Sequence, residues 1–186
     1  MKILKLLNRK YLSIIFIIFF VVSNTNAEDL SKAREVCSID VVQLQVNFLS
    51  PDALDSLEET ENLSQIGVMS WGTLAKGILT GRVDRNRTFD PVDARHSEPW
   101  WVNADHEPHF AVMDALVPLL ADYEHTGLEL ALGYLYDREH VDTLLCGVRN
   151  LSQLRTAVEA IHHMPSHEII AEALAIRDRI FKDHTS

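Results

Sequence analysis

Four groups of residues in this chain have types and spacings that could do chemistry. The first is a glycine-broken segment, Gly72, Gly77 and Gly81, with Leu74, Ile78 and Leu79 between the glycines. Glycine lets a backbone turn sharply and approach a neighbour closely. The second is Asn150-Leu151-Ser152-Gln153, which resembles a capping box and has Arg149 just before it. A helix start presents unpaired N–H groups, so this is a natural anion site; an arginine on a solvated surface leaves the same trace in sequence. The third is histidine-rich: His106-x-x-His109 and His162-His163-x-x-x-His167. Neither run has the carboxylate and helix context of HExxH, and we expect no metal site. The fourth is Arg82, Arg85, Arg87 and Arg95, which could meet a phosphate. Asp84, Asp90 and Asp93 interleave with them, which predicts a solvated loop. The sequence contains neither a Gly-x-Ser-x-Gly elbow nor a Walker loop.

The elements that must position these groups alternate. Residues 39–49 (IDVVQLQVNFL) read as a strand. Ser50-Pro51-Asp52 reads as a helix start, with Leu54 and Leu57 on its apolar side. Residues 67–71 (GVMSW) read as a second strand and residues 141–147 as a third. The segment 82–107 is long and polar, but Phe89, Trp100 and Trp101 predict that it packs onto the domain. Helices follow at 109–125, with Pro118 predicted to kink it, and at 128–136, after a break at Gly127. Two more follow, at about 151–161 and 166–181. Strands alternating with helices imply a parallel sheet in an α/β fold.

The 186 residues suffice for one domain. Hydrophobic residues make up 47% and charged ones 24%, which sets the chain apart from disordered sequences. The net charge of −10 argues against nucleic-acid binding, which needs clustered Lys and Arg. Cys37 and Cys146 read as two core thiols rather than a disulfide or a zinc site. The first 27 residues have the layout of a secretory signal peptide. A basic start (Lys2, Lys5, Arg9, Lys10) leads into the apolar run of residues 11–22, then into a small polar stretch ending at Ala27. The expected division is therefore a signal peptide at 1–27 and a domain at 28–186, exported to the periplasm or the cell exterior. The competing reading is membrane anchoring by residues 11–22. That run has 12 residues, against the ~20 a membrane-spanning helix needs.

The stretch of residues 66–81, IGVMSWGTLAKGILTG, resembles the aldo-keto reductase family, which carries an aromatic strand end followed by L-A-x-G-x-L-T-G. Trp71 holds the aromatic place, and Leu74, Ala75, Gly77, Leu79, Thr80 and Gly81 match. Val41-Val42-Gln43, Phe89-Asp90-Pro91 with Asp93 and Arg95, residues 128–135, and Gly147-Val148-Arg149-Asn150 with Gln153-Leu154 extend the resemblance over roughly residues 33–162. The resemblance implies a partial (β/α)8 TIM barrel. About three parallel strands with flanking helices would correspond to its sixth, seventh and eighth strands, and the first five would be lacking. It implies NADP(H) as cofactor and an active site at the C-terminal ends of the strands.

The matched half is the cofactor half. The resemblance implies that Trp71 stacks on the nicotinamide and Gln43 bonds its carboxamide. Gly72, Leu74, Lys76 and Gly77 would lie near the pyrophosphate. Gly147, Arg149, Asn150 and Gln153 would hold the adenosine phosphate. The Asn usual near the end of that motif is Ala157 here. The family's proton donor is a Tyr, helped by Lys, Asp and His, and a free Tyr with a pKa of about 10 needs such help. All four come from the first half of the barrel and none maps onto this sequence, so no catalytic residue is assigned. Past residue 27 only Lys32, Lys76 and Lys182, and Tyr123, Tyr134 and Tyr136, occur. Three outcomes remain open at this point. The chain is an NADP(H)-binding half without catalysis of its own, an oxidoreductase completed by a partner chain, or an exported interaction protein. Open sheet edges favour self-association or a partner that supplies the missing half-barrel.

Overall fold

The computed structural model describes residues 20–61 and 63–185. Four parallel strands form one sheet in chain order: β1 (Val21–Ser23), β2 (Val41–Gln45), β3 (Gly67–Trp71) and β4 (Thr143–Leu144). Helices connect and cover them: α1 (Ala27–Val36), α2 (Asp52–Thr60), α3 (Pro99–Val102), α4 (Glu107–Asp122), α5 (Gly127–Tyr136), α6 (Leu151–Ile161) and α7 (His167–Thr185). Parallel pairing requires a crossover between strands, and α1, α2 and the α3–α5 group supply the crossovers.

Side chains alternate across each strand, so one sequence serves two faces. Val42, Leu44, Val46 and Val68 are buried in one core with Leu54 and Leu57 of α2 and Leu130 and Leu135 of α5. Phe48 sits edge-on to Tyr134 at 5.5 Å, and its carbonyl accepts a 2.8 Å hydrogen bond from Arg177 Nη1. That bond ties α7 to the segment after β2. Ile170 and Ala173 of α7 are buried in the same core. The opposite face carries Ser23, Gln43, Met69 and Thr143 in one row, with Gln45 paired to Trp71 beyond it. Among the described residues no helix covers this face, and Gln43, Gln45, Met69 and Trp71 are only half-buried.

The sheet has one strand more than the sequence predicts. Val21 and Val22 close the apolar run read as part of a leader, and nothing local separates such a run from a strand. These residues pair with β2 from Val21↔Val41 to Ser23↔Gln43, with Asn24 N–H donating to the Gln43 carbonyl at 2.9 Å. Asn26 then caps α1, its Oδ1 accepting from Asp29 N–H at 2.9 Å. Residues 1–19, which hold most of the expected leader, lie outside the described residues. Among those described, no helix is long and apolar enough to cross a membrane.

The first predicted strand is shorter than expected, because Asn47 and Ser50 exchange backbone hydrogen bonds and turn the chain. Asn47 Oδ1 also accepts from Leu49 N–H, and α2 begins after Pro51 without a side-chain cap. α4 continues through Pro118. Cys37 and Cys146 are both free thiols, half-buried.

Candidate functional site

The site is built where β2, β3 and β4 end. Trp71 closes β3 on the uncovered face, half-buried, and its indole Nε1 is buried without a hydrogen-bond partner. Gln43 stands one pair back. Its Oε1 accepts from Ser23 Oγ at 2.7 Å, and its Nε2 lies 4.0 Å from Met69 Sδ. Asn47 Nδ2 donates to the Gly72 carbonyl at 3.1 Å, and Thr73 Oγ1 donates to the Leu145 carbonyl at 2.8 Å. These two bonds lock the segment after β3 to the ends of its neighbours.

That segment is tightly wound. Ala75, Lys76 and Gly77 all have positive φ (45°, 57° and 104°). At Gly77 a Cβ would stand 2.9 Å from Val83 Cγ2 and 3.3 Å from Arg95 Nη1, so only glycine fits. Ala75 and Lys76 hold a conformation L residues avoid, at a cost of order 1–3 kcal/mol each. Surrounding bonds impose it: Gly77 N–H reaches the Leu74 carbonyl at 2.8 Å, and Arg95 Nη1 donates to the Lys76 carbonyl at 2.6 Å.

Arg95 belongs to a charge cluster. Asp93, buried, takes two bonds from the Arg95 guanidinium, at 2.9 and 2.7 Å, one from the Arg95 backbone N–H at 3.1 Å and a fourth from Arg149. Bonds from Arg95 first, and Arg149 next, hold the Asp93 carboxyl far below the usual carboxylate range. Two guanidiniums on one carboxylate leave one positive charge in excess. Lys76 Nζ adds another, 4.8 Å over the Trp100 ring, where burial lowers its pKa. The polar loop is therefore partly built into the site instead of solvated throughout. Phe89 packs edge-on to Trp101 at 5.5 Å and takes Arg95 on its face at 4.2 Å. Arg85 meets Glu107 and Asp114, outside this cluster.

At the start of α6, Asn150 Oδ1 accepts from Gln153 N–H at 2.9 Å, the cap the sequence predicts. Gln153 reaches one residue further back than in a capping box, its Oε1 accepting from Arg149 N–H at 2.7 Å. Asp93 thus links the start of α6 to the turn after β3. A Cβ at Gly147 would meet nothing within 4 Å. Leu74 is half-buried against the core. Ser23, Gln45, Asn47 and Thr73 carry no signal in the sequence, and Asp93 carries only its place in the resemblance. Only tertiary pairing reveals them, although the Asp93–Arg95 spacing was on view.

Strand ends thus gather side chains above a parallel sheet. The profile described as "Aldo/keto reductase family" matches residues 20–177.

The chain belongs to the aldo-keto reductase family.

It is similar to aldo-keto reductase YhdN of Bacillus subtilis, 24% identical over 139 residues, which cover 74% of this chain and 42% of that protein. It is also similar to the NADH-specific methylglyoxal reductase of Escherichia coli, 23% identical, covering 75% and 42%. Among solved structures, the glycerol dehydrogenase AKR11B4 from Gluconobacter oxydans superposes with a TM-score of 0.66 at 24% identity, covering 87% of this chain and 49% of that one. Apo aldo-keto reductase AKR11C1 from Bacillus halodurans gives 0.59 at 15% identity, covering 85% and 50%. The chain spans about half the length of these aldo-keto reductases. Its parallel α/β architecture is that of a partial barrel.

The three tyrosines among the described residues are not placed as proton donors. Tyr134 lies on α5, packed on Phe48, with its hydroxyl accepting from Arg138 Nη1 at 3.2 Å. Burial raises its pKa, the reverse of what proton donation near neutrality needs. Tyr123 and Tyr136 are exposed. A concavity of about 380 Å³ lies instead beside the start of β3, between Gln65, Gly67, Glu139 and Asp142. It sits at the end of the strands where barrels of this kind do no chemistry.

Proposed function

We propose that this chain is the cofactor-binding side of an aldo-keto reductase barrel, that the cofactor is NADP(H), and that the chain does not reduce carbonyls until further strands close the barrel. One observation carries the reading: the turn after β3, the buried Asp93 and the start of α6 are joined into one rim beside Trp71. The residues fit the group. Trp71 offers a flat ring on an open face, and its partnerless Nε1 leaves a donor free. The Gln43 amide nitrogen has only a long contact to Met69 Sδ. The turn around Gly77 brings backbone close to whatever lies above it. The excess positive charge shared by Arg95 and Arg149 at the start of α6 suits the additional phosphate on the adenosine ribose, which NADP(H) carries and NAD(H) lacks. Bound there, the nicotinamide would supply hydride; this chain's residues would orient it and hold its phosphates.

The uncovered face supports the second part. An eight-stranded barrel fills its interior with side chains from every strand. Among the described residues four strands leave that interior open, with β1 and β4 at the edges of the sheet. A second copy of this chain brings the strand number to eight and covers the open face, and we take it as the other half of the assembly. It repeats the cofactor side, so the family's first-half Tyr, Lys, Asp and His would still have to come from another chain.

Titration of the full chain with NADPH and with NADH, read by tryptophan emission, tests the cofactor reading. Quenching by NADPH that is lost in Trp71→Phe is the expected result. No response to either nucleotide at millimolar concentration refutes it. Light scattering tests the completing copy: a dimer is expected, and a stable monomer rejects it.

A further inference from the structure

Three side chains that take no part in the rim converge among the helices. His125 lies in the connection between α4 and α5, Glu129 in the first turn of α5, and His163 just past the end of α6. Glu129 Oε1 is 3.1 Å from His163 Nδ1, and Glu129 Oε2 is 3.6 Å from His125 Nδ1. One ligand atom from each residue lies within 4.8 Å of the others, and the two imidazole centroids are 5.0 Å apart.

Two observations go beyond proximity. His125 Nδ1 is buried and has no hydrogen-bond partner, since 3.6 Å to Glu129 is too long for one. An ordinary ion pair between Glu129 and His163 leaves that nitrogen unsatisfied, which burial makes costly. Glu129 is also held in place from behind. Its Oε2 accepts from Thr126 N–H at 2.6 Å, while Thr126 Oγ1 accepts from Glu129 N–H at 3.2 Å. This capping box orients the carboxylate as an outer shell orients a metal ligand.

Two imidazoles and one carboxylate are a donor set that zinc accepts, with a fourth position for water. With bonds of about 2.0–2.1 Å, tetrahedral ligand atoms stand roughly 3.4 Å apart. The distances of 3.1 and 3.6 Å bracket that separation. His163 is exposed, so solvent reaches one side of the cluster. We propose that His125, Glu129 and His163 form a binding site for one divalent transition-metal ion of the zinc type, which clips the start of α5 to the end of α6. This departs from the sequence reading, which assigned no metal. His163 does contribute, but with His125 and Glu129 and not with His162 or His167.

The test is calorimetric titration of the metal-free full chain with Zn(II), alongside thermal melts with and without the ion. One ion per chain and a higher Tm in zinc are expected. His163→Ala, at an exposed position that leaves the fold intact, should weaken binding at least about tenfold and abolish the Tm shift. His162→Ala, its neighbour, should change neither. His125→Ala should lose binding in the same way, with circular dichroism checking that it folds. No uptake of zinc by the unaltered chain overturns the proposal. So does uptake that His163→Ala leaves unchanged, or that His162→Ala reduces equally.

Discussion

The two faces of the sheet are made by alternate residues of the same strands, yet they do different work. On the covered face Val42, Leu44 and Val68 are 0–1% exposed and packed by α2 and α5. On the other, Gln43, Gln45, Met69 and Trp71 are half-buried and, among the described residues, lie under no helix. The first face holds the fold together by apolar burial, at about 1.5–3 kcal/mol for a fully buried aliphatic side chain. The second contributes little packing, and that is what leaves its side chains available to a ligand or a second set of strands. Stability and function are separated here by one residue step along a strand.

Neighbouring substitutions in one strand give the largest contrast. Leu44→Ala should destabilise by about 2–5 kcal/mol in chemical denaturation, through the cavity it leaves. Gln43→Ala should stay within ~0.5 kcal/mol of the parent. Equal losses at the two positions would show that the uncovered face is packed in solution. Next comes Gly127→Ala at the start of α5. A Cβ there would lie 2.3 Å from the Leu79 carbonyl oxygen, and a backbone shift costing about 1–3 kcal/mol should follow.

Asp93→Asn should cost about 1–2 kcal/mol, since Arg149 is largely solvated and recovers part of the loss. Its pH dependence is more diagnostic. A carboxyl whose folded pKa is depressed stabilises above its unfolded pKa, near 3.9, and that contribution is lost as the pH falls below it. Melts of the parent should therefore weaken below about pH 4 more steeply than those of Asp93→Asn. Asn26→Ala should remove about 1 kcal/mol by uncapping α1. Trp71→Phe should change stability least and the NADPH response most, which sharpens the contrast between the faces.

The sequence reading went furthest where local chemistry decides. Residues 67–71 lie between Gly67 and Gly72 and form β3 with those bounds. Asn150 caps α6 as its type and position predict, and Leu151–Ile161 is the helix expected. It missed what only pairing decides. Val21–Ser23 has no signature apart from β2 beside it. Asp93 looked like one acid among several until Arg149, 56 positions away, closed on it. At the histidine cluster, His125 and Glu129 are four residues apart and Thr126-x-x-Glu129 is a legible capping box. The third member, however, arrives from another helix.

The three residues of β1 have a consequence for how the polypeptide is made. A peptidase cutting after Ala27 would discard the outermost ladder of the sheet together with the asparagine that starts the first helix, and would bare the flank of Val41–Gln45. Trimmed and untrimmed polypeptides would then differ in what they expose to other proteins, not merely in length, so the N-terminal mass of the purified protein tells which surface it carries.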